Sequence, residues 1–475
     1  MIDFAERRVR FAIGAAVLAL VLLVVADFIG TGDFVRLAAV LALIAAGPLV
    51  LVALRAPYLF PYGVYVVLIP FDGLLSLGSA GTVTKFLGIA AIAFVLVAIV
   101  RGRRIVRPPL PLYFALPYLA LVLVSLMWTT SLGNATVSVE AIVSYVLMYA
   151  VFCIAPIDRA QMRAVCACIV VGGVMGALYG IVMMHGAPVS SPETGEYGRL
   201  MINIGGRRID PNQFANALIG PMAIAIVWLT HTRSIPRALA LLAAVAILAE
   251  GVLISLSREA MLACLAMGLV LILFSRRRLL GAGVLAAAAA AAFAFVPAIM
   301  ARMTDAFATG GAGRTGIWRT DIAAWAVHPV IGWGVGGAED AYDAFLLRVA
   351  PRYFNGWGRP PHNTLLVALV ELGIIGAILV TAAYLSSFSL LRTIERGSEL
   401  FPMKVAFTAA LVGLGVASMF IDITVYKFLW VIVIGIAQLR TIAVLEPQAA
   451  RGPVAVAAPA RRPRMVRSRG SIPAS

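Results

Sequence analysis

The stretch of sequence that decides the fold is VTKFLGIAAIAFVLVAIVRGRR, residues 83–104. Residues 83–100 contain a single charge, Lys85, and as a helix they are long enough to cross the roughly 30 Å hydrocarbon core of a bilayer. Three arginines follow at once, which is typical of a cytoplasmic loop that holds a span in place. Comparable apolar runs recur from residue 11 to residue 443, so the sequence predicts an all-α, polytopic membrane protein.

The composition excludes a water-soluble protein. Of the 475 residues, 62% are hydrophobic and 13% are charged, whereas soluble domains carry about 25% charged residues. Soluble enzymes, secreted binding proteins and disordered scaffolds are therefore excluded. The net charge of +16 would suggest nucleic acid as a partner of a soluble protein, but in a membrane protein it indicates cytoplasmic loops and membrane lipid, and we expect no nucleic acid.

The apolar runs predict fourteen spans, although twelve or thirteen remain open because the third run is short and bracketed by prolines and the tenth follows the ninth almost without a loop. The predicted spans are 11–29, 34–54, 57–71, 83–100, 110–128, 136–156, 162–185, 212–231, 236–256, 259–274, 279–299, 363–391, 404–421 and 425–443. Most of the 38 Lys and Arg residues fall on one side when both chain ends are cytoplasmic.

This topology divides the chain into five regions. They are a cytoplasmic N-terminus at 1–10, transmembrane helices over 11–299 with an outer loop at about 186–211, a large outer loop at 300–362, C-terminal transmembrane helices at 363–443, and a disordered basic cytoplasmic tail at 444–475. The large loop is too long for a connector and is expected to be functional.

The large loop is predicted to carry two short amphipathic helices. Trp318, Ile322 and Trp325 are spaced i, i+4 and i+7, which gives a helix with an aromatic face suited to the membrane interface. A second helix is predicted over about 339–349. The glycine run at 332–337 between them has no preceding strand, so we interpret it as a tight turn rather than a nucleotide-binding loop.

Ionisable residues cluster at the outer ends of the spans, where a membrane protein keeps such groups for function. The first group is Ser255–Glu259, in which Arg258 and Glu259 lie at the junction of two spans. The alternative is a simple hairpin cap with an exposed ion pair.

In the second group, Arg207, Arg208 and Asp210 precede a helix that starts with proline, and arginines beside a helix N-terminus favour a phosphate. The alternative is a basic pair without a ligand.

The third group belongs to the large loop and contains Arg314, Arg319, Arg359 and His362. His362 follows two prolines at the start of a long span and precedes Glu371, so a stiff backbone holds an imidazole at the membrane surface. An imidazole with a pKa near neutrality can act as a general base there. The alternative is an ordinary interfacial histidine.

The sequence lacks several motifs that are typical of nucleotide-dependent and metal-dependent enzymes. The sequence has no Walker A loop, no HExxH, no paired cysteine ligands and no Asp-x-Asp pair, which disfavours nucleotide-driven and metal-driven reactions. No cofactor and no metal are expected. Arginines grouped with one candidate base suit an anionic lipid-linked donor whose leaving group is a pyrophosphate, because the guanidinium fork binds two phosphate oxygens at once.

These residues also carry a family resemblance. The motifs are Ser257-Arg258-Glu259-Ala260, Arg314…Trp318, His328-Pro329…Gly332-Trp333-Gly334 and His362-Asn363…Leu366…Glu371-Leu372-Gly373…Gly376. In this order they resemble the core of the O-antigen ligase and O-antigen polymerase superfamily, over about 200–435. The resemblance implies an inverting, metal-independent glycosyltransferase with about 12–14 transmembrane helices in the bacterial inner (cytoplasmic) membrane. Both outer loops would then be periplasmic.

The resemblance implies a role for individual residues and partners. His362 would deprotonate or orient the acceptor hydroxyl, while Arg258 and Arg314 would bind the donor pyrophosphate. The substrate-binding candidates are Arg207, Arg208, Asp210, Arg319, Arg359 and Glu371. The implied partners are an undecaprenyl-pyrophosphate-linked glycan donor, a glycan or lipid A-core acceptor, and proteins of polysaccharide export or chain-length control.

Two alternatives stay open at this point. A polymerase and a ligase are not distinguished. A multi-span transporter of an anionic solute or of a lipid-linked glycan would also have many spans, but it predicts mid-bilayer acids, of which Glu140 and Glu250 are the clearest, and broken helices. Because the arginines and the histidine suited to catalysis lie in the large outer loop instead, we favour an enzyme.

Overall fold

The computed structural model of the chain describes residues 50, 52–72, 74–76, 81–186, 202–204, 207–295, 314–349 and 356–450. The predicted N-terminus at 1–10, the first span at 11–29 and most of the second span at 34–54 lie outside the described residues. So does the predicted tail from residue 451 onward.

The described part of the chain is helical apart from one short hairpin. The helices are α1 (Tyr62–Leu68), α2 (Val83–Val100), α3 (Leu110–Val124), α4 (Leu132–Ile154), α5 (Arg159–Gly186), α6 (Pro211–Ala217), α7 (Ile219–His231), α8 (Ile235–Ile254), α9 (Arg258–Phe274), α10 (Arg278–Phe295), α11 (Arg314–Trp325), α12 (Ala338–Val349), α13 (Thr364–Leu391), α14 (Phe401–Ala417) and α15 (Lys427–Ala450). Two 3₁₀ turns, Ile69–Phe71 and Ser125–Met127, extend α1 and α3. The hairpin pairs β1 (Ile202–Ile204) with β2 (Arg207–Ile209) in antiparallel register.

The all-α membrane fold is confirmed. In the described residues, eight helical stretches of at least 18 residues are long and apolar enough to cross a membrane, when α3 is counted with its 3₁₀ turn and α6 with α7. Each predicted span from 57–71 onward coincides with one helix or with two consecutive short helices, and α2 has the predicted bounds, Val83–Val100. The hairpin in the outer loop at 186–211 was not predicted.

Several helices begin at a residue whose side chain caps the first turn. Thr82, Asp210, Ser257 and Asn363 each accept a hydrogen bond from a backbone N–H within the first turn of α2, α6, α9 and α13. Such caps satisfy N–H groups that have no partner inside the helix. All four lie at helix ends that the sequence places outside, so these helix starts are well defined.

Contacts between the connecting segments agree with the predicted alternation of spans. At the predicted outer end, the hydroxyl of Thr129 donates to the carbonyl of Val335 (2.6 Å). At the predicted cytoplasmic end, Arg159 pairs with Glu399, and Nη1 of Arg440 lies 3.4 Å from the carbonyl of Arg107. Segments assigned to the same side therefore meet each other.

Helix α13 is broken at Gly373, and the glycine turn of the large loop fills the break. Gly373 has φ 66° and ψ −165°, a conformation outside the helical region that only glycine adopts readily. The carbonyls of Val370 and Glu371 accept hydrogen bonds from the N–H groups of Trp333 and Gly334, both at 2.8 Å. The turn thus satisfies carbonyls that the break leaves without a helical partner.

The same contact leaves no room for a side chain at the break. A Cβ atom on Gly373 would lie 2.1 Å from the carbonyl oxygen of Val330. The carboxylate of Glu371 accepts hydrogen bonds from the N–H groups of Gly336 and Ala338, at the start of α12. The large loop is therefore anchored to a membrane-spanning helix through its backbone.

Both amphipathic helices of the large loop are present, as α11 and α12. Their packing differs from the prediction in one respect. Trp318 and Trp325 pack against α12 and α13, and Ile322 is exposed, so the three residues do not form one aromatic face toward the membrane. The sequence pattern identified the helix, but the large aromatic rings pack against the rest of the protein.

The final helix is longer than predicted. Helix α15 continues to Ala450, so the segment assigned to a disordered tail from residue 444 begins as helix. Pro447 does not end it, and the helical pattern extends past the last apolar run. The apolar run therefore marked the membrane-spanning part of α15 and not its end.

Candidate functional site

Two of the three groups singled out in the sequence meet at Glu259, a nearly buried carboxylate at the start of α9. Nη2 of Arg314 lies 2.6 Å from Oε2 of Glu259, whose side chain is 3% exposed. Nδ2 of Asn216, on α6, lies 3.4 Å from Oε1 of the same carboxylate. The first group thus pairs with the third and touches the helix that follows the second. The alternative of an exposed ion pair in a hairpin cap is therefore wrong for Glu259.

The turn before α9 is strained. Leu256 is buried and has φ 51°, in the left-handed region that side chains rarely adopt. The hydroxyl of Ser255 donates to the carbonyl of Val252 (2.6 Å) and accepts from the N–H of Ser257 (3.1 Å). These bonds hold the turn that places Arg258 at the first position of α9, beside Glu259.

Arg314 is held on two sides. Its guanidinium carbon lies 5.4 Å from the centre of the Phe420 ring, in addition to the ion pair with Glu259. The Arg314 side chain remains 20% exposed. Because a guanidinium carries five N–H donors, Arg314 can bind Glu259 and an anionic oxygen at the same time.

His362 has an unusual backbone conformation, with φ 50°. The carbonyl of Pro361, just before it, accepts a hydrogen bond from Nε1 of Trp318 (2.9 Å). Trp318 and Arg314 are four residues apart on α11 and so share a face of that helix. A single short helix therefore positions both the candidate base and the candidate phosphate-binding arginine.

A second element fixes the other side of His362. We call residues 418–424, which connect α14 to α15, the outer turn. The N–H of Thr364 donates to the carbonyl of Ser418 (2.8 Å), and Nδ2 of Asn363 donates to the carbonyl of Met419 (3.1 Å). Since Phe420 belongs to the same turn, the outer turn supports both His362 and Arg314.

Residues that the sequence interpretation did not select take part in the site. They are Asn216, which lies against Glu259, and Phe420, whose ring contacts Arg314. Asn216 is a polar amide inside an apolar run, which is a sequence signal for function. In the structure its side chain is fully buried. Phe420 is one apolar residue among many, and no sequence signal identifies it.

Burial and the neighbouring arginines favour the neutral imidazole of His362. Burial lowers the pKa of His362 below its ordinary value of 6.5, and the positive charge of Arg314 lowers it further. Asp210 opposes these effects, and Arg359 adds to them. A histidine that stays neutral at physiological pH is available to accept a proton.

The structure brings some of the predicted site residues together. Arg314, Asp210 and Arg359 all act on the pKa of His362, so they share one electrostatic neighbourhood. Arg258 lies next to Glu259 and is partly exposed. Together with Glu259, which pairs with Arg314, the five predicted residues Asp210, Arg258, Arg314, Arg359 and His362 form the candidate site, and their functional roles remain predictions.

Other predicted site residues lie in different settings. Arg319 is on the exposed part of α11, and the Glu371 carboxylate is bound to backbone N–H groups of the glycine turn and α12. Arg207 and Arg208 are in β2, two residues and one residue before Ile209. Their roles in substrate binding also remain predictions, although the contacts of Glu371 are those of a residue that positions the loop.

The charges around His362 predict the pH dependence of any reaction in which His362 acts as a base. If His362 is the base, activity should fall as His362 becomes protonated, and this acid limb should lie at a lower pH than for an ordinary histidine, because the pKa of His362 is lowered. Asp210→Asn removes a charge that raises the pKa, so the acid limb should move to lower pH. Arg359→Gln removes a charge that lowers it, so the limb should move to higher pH. The profile of kcat/KM against pH measures both shifts.

The Asp210→Asn and Arg359→Gln variants together also test whether His362 is the titrating group. Asparagine is a good helix cap, so Asp210→Asn should preserve the start of α6. Shifts of the same sign in the two variants, or none in either, would contradict the assignment of the acid limb to His362.

One segment of the chain matches a known protein family. Residues 243–381 match a protein family described as O-antigen ligase. The matched segment includes Arg258, Glu259, Arg314 and His362. No curated protein matches the chain. The match confirms the resemblance to the O-antigen ligase and polymerase superfamily and supports, in general terms, a membrane glycosyltransferase of that type.

Proposed function

We propose that the chain transfers a glycan from undecaprenyl pyrophosphate to a sugar hydroxyl of an acceptor, on the periplasmic side of the bacterial inner membrane. The acceptor would be another lipid-linked glycan for a polymerase, or a lipid A-core for a ligase. The observation that carries the proposal is the grouping of Arg314, held by buried Glu259, with a largely neutral His362. This grouping supplies an anion-binding group and a base at one place.

The arginines would act on the leaving group. As the bond between the sugar and the pyrophosphate breaks, negative charge grows on the pyrophosphate oxygens. Arg314, oriented by Glu259 and Phe420, and Arg258 at the start of α9 would bind those oxygens and stabilise that charge. Because guanidinium groups supply the positive charge, the proposed reaction requires no metal and no cofactor.

His362 would act on the acceptor. Its neutral imidazole takes the proton of the attacking hydroxyl while the oxygen bonds to the anomeric carbon from the face opposite the pyrophosphate. A single displacement of this kind inverts the configuration at that carbon. The products are the extended glycan, undecaprenyl pyrophosphate and a protonated His362, whose charge the nearby carboxylate of Asp210 stabilises.

The transporter alternative has less support. Glu140 and Glu250 are exposed, and Glu140 forms an ion pair with Lys85 instead of facing a central pathway. The break in α13 at Gly373 is filled by the glycine turn, so its free carbonyls bind backbone N–H groups. Broken helices in transporters instead face the transported solute.

Deletion of the gene tests the proposal. We expect the producing bacterium to lose normal long-chain surface polysaccharide, and the wild-type gene to restore it. Loss of repeats beyond one unit would identify a polymerase, whereas long chains left on the carrier lipid would identify a ligase. Unchanged chain length and unchanged attachment, measured by gel electrophoresis of the extracted polysaccharide, would overturn the proposal. Export or chain-length-control proteins would be candidate partners.

A further inference from the structure

A cavity of about 270 Å³ lies between α3, α13 and the start of α15. Its walls are mainly apolar and include Ala115 from α3, Ala383 from α13, and Leu429 and Val433 from α15. The arginines of the candidate site do not line it. An apolar cavity at the level of the spans suits a hydrocarbon chain and not a sugar or a phosphate.

The cavity opens toward the outside of the helix bundle. Leu365, Leu385 and Met419 line it and are also exposed. Leu365 and Leu385 belong to α13, which is long and apolar enough to cross the membrane, so these exposed side chains face lipid. A lipid chain can therefore enter sideways from the bilayer.

One end of the cavity adjoins the candidate site. Asn363 and Thr364, which line this end, directly follow His362. Ser418 and Met419 also line it and directly precede Phe420, whose ring contacts Arg314. The cavity and the candidate site therefore share the outer turn and the start of α13.

We infer that this cavity binds the isoprenoid chain of the lipid-linked donor, at the units nearest the pyrophosphate. The inference rests on the proposed function. In such a donor the first isoprene unit is bonded directly to the pyrophosphate, so a pyrophosphate at Arg314 requires the chain to start close by. The end of the cavity at Ser418 and Met419 is next to Phe420 and thus meets this requirement.

Aromatic side chains form part of the cavity walls. Tyr118, Tyr149 and Trp430 line the cavity, and Nε1 of Trp430 donates to the carbonyl of Thr424 (2.8 Å), which fixes the indole. Because bulk lipid is as apolar as these walls, transfer of the chain from the bilayer gains little from the hydrophobic effect. The cavity would contribute by packing and by holding the donor in position.

Filling the cavity tests the inference. Ala383→Trp places a large ring inside it, and Leu385→Trp narrows its mouth. Ile378→Trp, at an exposed position of the same helix outside the cavity, is the matched control. Binding of undecaprenyl pyrophosphate to the full-length protein in nanodiscs should weaken by about tenfold, roughly 1.4 kcal/mol, in both cavity variants. The control should bind as the wild type does.

Inorganic pyrophosphate, which has no lipid chain, tests binding of the head group alone. As a competitor at the arginines it should bind the cavity variants and the wild type equally, while Arg314→Ala should weaken both probes. Thermal unfolding shows whether a cavity variant is folded, and the milder Leu385→Trp remains informative if Ala383→Trp is not. Undecaprenyl pyrophosphate binding as in the wild type by a folded cavity variant would overturn the inference.

Two further results would also overturn it. Phosphatidylglycerol that displaces undecaprenyl pyrophosphate at equal concentration would show an ordinary lipid site. Cavity variants that raise only the KM for a lipid-linked acceptor would assign the cavity to the acceptor chain. Donor binding without any glycan transfer would refute the proposed function while leaving the chain site intact, so the two failures are distinguishable.

Discussion

Replacing His362 by alanine should reduce glycan transfer by about 10²–10⁴-fold, the usual contribution of a general base, in a protein that still inserts and folds. The imidazole is kept largely neutral by burial and by Arg314, and the variant removes the proton acceptor without changing the arginines. Transfer should be measured with purified protein and lipid-linked substrates, and by the ability of the variant gene to restore surface polysaccharide in a deletion strain.

The backbone at His362 requires a second variant. Because φ is 50°, a substitution could act through the backbone instead of the imidazole. Asparagine tolerates this region, so His362→Asn removes the base and keeps the conformation. His328→Ala is the matched control, since His328 is exposed and contacts the Trp333 ring in the same loop. Full transfer by a folded His362→Asn would contradict the assignment.

The membrane-spanning part of the fold could be predicted from the sequence because it depends on local composition. Residues 83–100 were predicted as a span and are the observed bounds of α2, since Thr82 caps the helix and arginines follow its end. Pro211 was predicted to start a helix and does so, with Asp210 as its cap. Length, apolar character and end signals suffice for such elements.

Long-range contacts could not be predicted in this way. Glu259 and Arg314 are 55 residues apart, and nothing in either motif shows that the acid beside Arg258 pairs with an arginine of the large loop. The sequence predicts a continuous helix through Gly373, because the glycine turn that fills the break comes from another segment. The sequence could nominate the site residues, but their partners depend on packing between distant segments.

Removal of the Arg314 side chain should have two large effects. Arg314→Ala leaves the carboxylate of Glu259 buried without this ion pair, and breaking a buried pair costs about 3–5 kcal/mol. We therefore expect a lower yield of folded protein together with loss of transfer.

Arg314→Lys keeps the charge and should fold, but it should still lose most activity because an ammonium does not reproduce the bidentate contact of a guanidinium with a pyrophosphate. Full activity with lysine would mean that only the charge matters.

The double variant Arg314→Gln, Glu259→Gln separates the structural role of this arginine from its catalytic role. Removing both charges leaves neither one buried alone, so thermal unfolding should return close to the wild-type temperature. If Arg314 binds the pyrophosphate, transfer should stay at least about 10²-fold below wild type in this stable protein, the usual loss when an electrostatic stabiliser of the transition state is removed. Glu140→Gln, which breaks the pair with Lys85 through a carboxylate that is 64% exposed, is the control and should change neither stability nor transfer. Recovery of transfer in the double variant would show instead that Arg314 serves to neutralise Glu259, and the pyrophosphate would have to bind elsewhere.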